Sequence, residues 1–117
     1  MRLNEIDMEF QPIVVLVTAP STEKAREIAL DLVQKKLAAC VNIVTPITSI
    51  YLWDGKIQDE QETLLIIKSR SDLFEDDLVT AIRAIHPYQV PEIIALPIEM
   101  GTKDYLDWIK QVTRTYS

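Results

Sequence analysis

A short turn signal near the middle of this chain separates two long segments with the composition of β-strands. Asp54-Gly55 is among the residue pairs most typical of a two-residue hairpin turn, because both residue types tolerate a positive φ. Val41 to Trp53 precedes this pair, Lys56 to Ser69 follows it, and the only proline in either segment is Pro46. The sequence therefore predicts a long antiparallel hairpin.

The rest of the chain supplies two more strands and three helices. Pro12 to Ala19 is a nearly continuous β-branched run, which is typical of a strand buried on both faces. Helices are indicated where apolar residues recur at helical spacing after a polar turn. They begin near Ser21-Thr22, at a cap formed by Ser71-Asp72, and after Gly101-Thr102, and a last strand runs from Pro91 to Ile98. The predicted order is β-α-β-β-α-β-α.

This order is the signature of the ferredoxin-like split βαβ fold, an α+β class in which the first and third strands are central. Proline favours edge strands, because it cannot complete a ladder of hydrogen bonds. Pro46 and Pro97 fall in the second and fourth predicted strands. We therefore predict a ferredoxin-like βαββαβ sandwich with an extra C-terminal helix and the long hairpin. Residues 12–117 form this single domain, and residues 1–11 form a loosely ordered extension.

The length of the hairpin predicts an oligomer. A strand from Val41 to Trp53 spans about 43 Å, whereas a helix of about 15 residues covers only ~22 Å. Helices of one chain therefore cannot shield the whole hairpin. In addition, strands with one wet face should alternate apolar and polar residues. This alternation is missing from Leu64 to Ile67 and from Ile93 to Leu96. We expect the sheet face away from the helices to be buried against other copies.

Charge and composition argue against several classes of protein. The chain has 18 acidic and 12 basic residues, a net charge of −6 and no basic stripe, so we expect no nucleic-acid or membrane partner. No apolar run approaches the roughly 20 residues of a membrane span, and residues 1–11 lack a signal-peptide run. A single cysteine needs no oxidising compartment. These features predict a cytoplasmic protein.

Catalytic signals are also weak. With two glycines, the chain has no phosphate-cradling loop, and its one histidine has no evident serine or cysteine nucleophile beside it. Acidic pairs such as Asp76-Asp77 are typical of a solvated helix face. We predict that the protein is not an enzyme.

Six motifs in order resemble the CutA family of divalent-cation tolerance proteins, and the match runs from Val14 to about Val112. The motifs are Val-Thr-Ala-Pro (17–20), Lys-Leu-Ala-Ala-Cys-Val-Asn (36–42), Tyr-Leu-Trp-Asp-Gly-Lys-Ile (51–57), Leu-Leu-Ile-Ile-Lys (64–68), His-Pro-Tyr-Gln-Val-Pro-Glu-Ile (86–93) and Tyr-Leu-Asp-Trp (105–108). The resemblance implies a homotrimer with interlocking hairpins that binds copper or another divalent ion. The alternative that it implies is a signalling trimer similar to the PII proteins, with a small organic effector between subunits. A scaffold that acts through an unidentified protein partner is a third alternative.

The copper ligands implied by the resemblance are a cysteine in the first strand and two adjacent histidines before a proline. Here these positions read Val17, Ile85 and His86, so only His86 is retained. Its other interpretation is a histidine at a helix C-terminus that bonds a carbonyl. Cys40 is a second candidate ligand, although it can equally be a small buried hydrophobe.

A second group of residues has the composition of a ligand pocket. Lys68 follows four aliphatic residues and should need a partner, for which Glu92 and Glu62 are the candidates. The aromatic pocket candidates are Trp53, Tyr88, Tyr105 and Trp108. The group forms either a cleft between subunits that binds a ligand or a structural ion pair at a subunit interface.

Overall fold

The computed structural model describes residues 10–114 and confirms the predicted order of elements. The elements are β1 (Pro12–Ala19), α1 (Thr22–Gln34), β2 (Cys40–Trp53), β3 (Lys56–Arg70), α2 (Val79–Ile85), β4 (Ile93–Pro97) and α3 (Lys103–Val112). The extension predicted for residues 1–11 lies, up to residue 9, outside the described residues. Gln11, a described residue of this extension, is hydrogen-bonded, since its backbone carbonyl accepts from the Ser71 N–H at 2.9 Å.

The strands form one antiparallel sheet in the order β2-β3-β1-β4, so β1 and β3 are central as the proline positions predicted. Pro46 lies in edge strand β2, where the register with β3 shifts between Val44 and Ile47. This is a β-bulge, because two residues of β2 oppose one residue of β3. Pro97 lies at the end of edge strand β4, opposite Ile13.

The core lies between the sheet and helices α1 and α2. Alternate residues of β1 and β3, such as Val15 and Ile67, are fully buried there against Ile28 and Leu32 of α1 and Ile82 of α2. The prediction that β1 is buried on both faces is wrong for the single chain. Val14 and Leu16 are only half-buried, because their face points away from α1 and α2.

The predicted hairpin is confirmed, and it extends well beyond the helices. Asp54 and Gly55 have φ values of 54° and 74°, as a tight hairpin turn requires. The molecule is 53 Å long and about half as wide. Near the hairpin tip, Ile50 and Leu52 are each 69% exposed and Ile57 is 78% exposed. One chain therefore leaves the apolar side chains of its longest element uncovered.

The second helix begins later than predicted. Ser71–Leu73 form a 3₁₀ turn and Phe74–Leu78 a wider π turn before α2 starts. Neither side chain of Ser71-Asp72 caps a helix, because the Asp72 carboxylate is held by Arg70 Nε at 2.7 Å instead. By contrast, Ser21 caps α1 as predicted and accepts from the Lys24 N–H at 3.1 Å. No helix within residues 10–114 is long and apolar enough to cross a membrane.

Candidate functional site

The sheet has one face that α1 and α2 do not cover, and the candidate residues lie around it. This open face is formed by strand side chains that alternate with the core residues, among them Val14, Leu16, Cys40, Asn42, Val44, Leu64, Ile66, Lys68, Ile94 and Leu96, with the buried Thr18 and Arg70 at its two ends. Most of them are apolar, and Ile94 and Leu96 are each 49% exposed. The open face is therefore an apolar surface with a polar group at one corner.

That corner is built around Lys68. The strand register places Lys68 directly opposite Cys40, and the Lys68 ammonium donates to Oδ1 of Asn42 on the same face. The Cys40 thiol lies 3.9 Å from the same oxygen atom. The predicted carboxylate partners, Glu92 and Glu62, are not beside Lys68 in this chain. The partner is a neutral amide, which sequence reasoning missed.

Helix α3 adds aromatic side chains to the Lys68 corner. Partial burial and the neighbouring Cys40 thiol raise the pKa of Tyr105. The rings of Tyr105 and Trp108 are 5.5 Å apart between centroids. The structure thus brings together three of the six predicted pocket residues, Lys68, Tyr105 and Trp108, with Cys40 beside them.

His86 lies at the other end of the sheet with both ring nitrogens engaged. Nε2 lies 2.7 Å from the Thr18 carbonyl oxygen, and Nδ1 accepts from the Tyr88 backbone N–H at 3.2 Å. Because a carbonyl can only accept and an N–H can only donate, these contacts select the neutral imidazole that carries its proton on Nε2. The ring is 7% exposed. Its hydrogen bond to a carbonyl matches the structural interpretation, although the carbonyl belongs to β1.

Next to His86, Tyr88 is bound to a buried carboxylate. Its phenol donates to Glu62 Oε2 at 2.8 Å, and Glu62 is only 7% exposed. Burial of the ring and this hydrogen bond raise the pKa of Tyr88. A second phenol–carboxylate pair, Tyr51 to Glu60 at 2.6 Å, lies further out on the hairpin.

Cys40 and His86 do not fit a shared metal site within one chain. Cys40 lies beside Lys68, which pairs with Val14, whereas His86 binds Thr18. The four residue steps from Val14 to Thr18 span about 13 Å along β1, far more than two ligands of one ion allow. Among residues 10–114, no group of three or more His, Cys, Asp or Glu side chains could hold a metal ion. Metal binding by His86 stays a prediction.

The other pocket candidates lie apart from the Lys68 corner. Trp53 is at the hairpin tip and 54% exposed, and Tyr88 is at the His86 end. Glu92 immediately precedes β4, whose first residue pairs with Val17, and is exposed. A single chain therefore does not assemble all six residues into one pocket.

Comparison with known proteins gives consistent matches over nearly the whole chain. A family model described as CutA1 divalent ion tolerance protein matches residues 13–112. The chain is 52% identical to the divalent-cation tolerance protein CutA of Thermus thermophilus over 100 residues, 86% of this chain and 96% of that protein. It is 49% identical to the chloroplastic protein CutA of Arabidopsis thaliana over 114 residues, 97% of this chain but 62% of that protein.

Solved structures agree with these matches. The crystal structure of CutA1 from Oryza sativa superimposes with a TM-score of 0.87 at 48% identity, covering 91% of this chain and 96% of that one. The α+β architecture, with a four-stranded antiparallel sheet and three helices, is therefore shared with CutA1 structures.

Proposed function

The chain belongs to the CutA1 divalent ion tolerance family, and we propose that it acts in tolerance of divalent cations as a homotrimer of ferredoxin-like subunits. The observation that carries this proposal is the open face. Soluble monomers rarely leave a large contiguous apolar patch in water, and such patches mark interaction sites. Here the patch is continuous with a hairpin whose apolar side chains are also uncovered.

The exposed edge of β2 supports association in the same way. The strand is 14 residues long and pairs only with β3 among the described strands, so its outer edge presents unpaired backbone groups. A long edge strand invites pairing with another chain unless something covers it. A neighbouring copy of this chain would cover both the edge and the apolar face.

We propose further that divalent ions, copper included, are bound by the assembled copies and not by a site within one chain. Copper favours thiolate, thioether and imidazole ligands. In one chain, the Cys40 thiol and the His86 imidazole are too far apart to share an ion, and both nitrogens of His86 already have partners. Donors from more than one copy would be needed to complete a coordination sphere.

This proposal is tested by comparing copper binding by the intact oligomer and by a dissociated chain. Leu96→Asp places a charge in the open face and should yield monomers. Leu30→Asp is the matched control, because Leu30 lies on α1 and is already 57% exposed. We expect the wild type and the control to bind copper stoichiometrically in a calorimetric titration, and the folded Leu96→Asp monomer to bind at least tenfold more weakly. Equal binding by the monomer would contradict the proposal.

The remaining expectations stay predictions. An effector trimer similar to the PII proteins needs Trp53, Lys68 and Glu92 close together, and only a contact between copies could achieve that. A cytoplasmic location and the absence of enzymatic activity stay predictions, and the Arabidopsis thaliana relative is named as chloroplastic.

A further inference from the structure

The open face has opposite charges at its two ends. Lys68 lies at the end formed by Val14 and Leu96, which pair with each other across β1 and β4. Glu92 lies at the other end, one residue before Ile93, which pairs with Val17. Between the two charges, the face is apolar: Leu16, Leu64, Ile66 and Ile94.

Lys68 has no anionic partner among residues 10–114. The residue is half-buried, and its ammonium donates to the neutral amide oxygen of Asn42. A second copy that covered the open face would remove water from this ammonium. Burying a cation without a counter-charge is costly, so the covering surface should bring a carboxylate.

Glu92 is the carboxylate that is free to act as this partner. It is exposed and makes no hydrogen bond or ion pair in the part of the chain that the structure describes. Glu62, the other candidate from the sequence, is buried and already accepts from the Tyr88 phenol. Lys68 at one end of the face therefore has no anionic partner, and Glu92 at the other end is a carboxylate with no donor bound to it.

We propose that Lys68 of one copy pairs with Glu92 of the neighbouring copy when the open faces associate, and that this ion pair sets the register of the interface. The inference rests on the self-association proposed above and adds a pair of specifying residues to it. In a ring of three, each copy presents Lys68 to one neighbour and Glu92 to the other, which is a heterologous contact. If two open faces packed with their strands parallel, Lys68 of one copy would instead lie against Lys68 of the other.

Charge reversal and mixing test this pair. Lys68→Glu and Glu92→Lys each create a like-charge contact between copies. For each purified variant, the protein concentration at which half of the trimers dissociate should therefore be at least tenfold higher than for the wild type. The controls are Lys103→Glu and Glu23→Lys, which make the same charge changes at exposed helix positions. Both controls should remain trimeric in native mass spectrometry.

Mixing the two reversed variants should restore association in part, because a mixed ring of three has two contacts with opposite charges at positions 68 and 92 and one contact with like charges. We expect mixed trimers containing both chains, and full recovery in the double variant Lys68→Glu/Glu92→Lys. The double variant keeps the test decisive where a single variant does not fold alone. Unchanged trimers in both single variants would overturn the pair while leaving the trimer in place. A monomeric wild type would overturn the association itself, and wild-type complexes of only two chains would overturn the ring.

Discussion

The phenol of Tyr88 donates a 2.8 Å hydrogen bond to Glu62 Oε2 and thereby ties the turn after α2 to strand β3. The same turn is held to β1 by His86, whose Nε2 contacts the Thr18 carbonyl oxygen at 2.7 Å. Two central strands are thus joined to a proline-flanked turn by side-chain hydrogen bonds. These contacts bring an imidazole, a phenol and a carboxylate together at one end of the sheet, each held by a hydrogen bond.

Removing the Tyr88 hydroxyl should destabilise the fold. Tyr88→Phe leaves the Glu62 carboxylate buried without its donor, and losing a partner of a buried charged group costs about 1–3 kcal/mol. Urea unfolding with circular dichroism measures the loss. Tyr51→Phe is the matched control, since its phenol–carboxylate pair is exposed and should contribute little. Equal effects of the two substitutions would contradict the account.

Alkaline titration should resolve the hairpin phenol. The hydrogen bond from Tyr51 to Glu60 raises the pKa of Tyr51 from 10.0 to about 12. Because the folded pKa exceeds the unfolded one, the bond's contribution is complete below pH 10.0 and is lost as the pH rises through about 12. Difference absorbance at 295 nm between the wild type and Tyr51→Phe should show a step near pH 12. A step near pH 10 would show that the bond does not form in solution.

The tautomer of His86 is a direct prediction of its two contacts. The chain has one histidine, so nitrogen-15 long-range correlation spectra give a single imidazole pattern. The neutral ring should carry its proton on Nε2, with Nδ1 as the acceptor. The opposite tautomer would contradict the geometry.

His86→Ala should destabilise the protein by about 1–3 kcal/mol, because the Thr18 carbonyl and the Tyr88 N–H both lose their partners.

The hairpin turn depends on the left-handed conformation of Gly55. An added Cβ would contact nothing within 4 Å, so the cost of Gly55→Ala is purely conformational. A non-glycine residue at its φ of 74° costs about 1 kcal/mol. Thermal unfolding should detect this loss. Asp54→Asn is the control and should be neutral, since asparagine also tolerates positive φ. A Gly55→Ala variant with the same thermal stability as the wild type would mean that the turn adopts a different conformation.

Local signals in the sequence were enough to predict most of the fold. The Asp54-Gly55 pair located the hairpin turn, and Pro46 and Pro97 placed their strands at the edges of the sheet. The cap predicted at Ser71-Asp72 failed because Arg70, a neighbour with a competing side chain, binds the Asp72 carboxylate. Capping signals do not show which side chains compete for the cap.

The arrangement around Lys68 could not be derived from the sequence in the same way. A regular hairpin closed by Asp54-Gly55 would place Lys68 opposite Val41. The bulge near Pro46 sets two residues against one and shifts the register, so Lys68 faces Cys40 and reaches Asn42. Pro46 predicted that β2 lies at an edge of the sheet, but it did not reveal the extra residue. A shift of one residue decides which side chains share a face.

The mass of the intact assembly tests the central claim most directly. Native mass spectrometry of wild-type protein purified without chelators or affinity metal reads the number of copies and any retained ion together. We expect three copies of the 13.4 kDa chain at micromolar concentration. A folded single chain under these conditions would show that the open face and the hairpin are stable in water, and would contradict the proposed trimer.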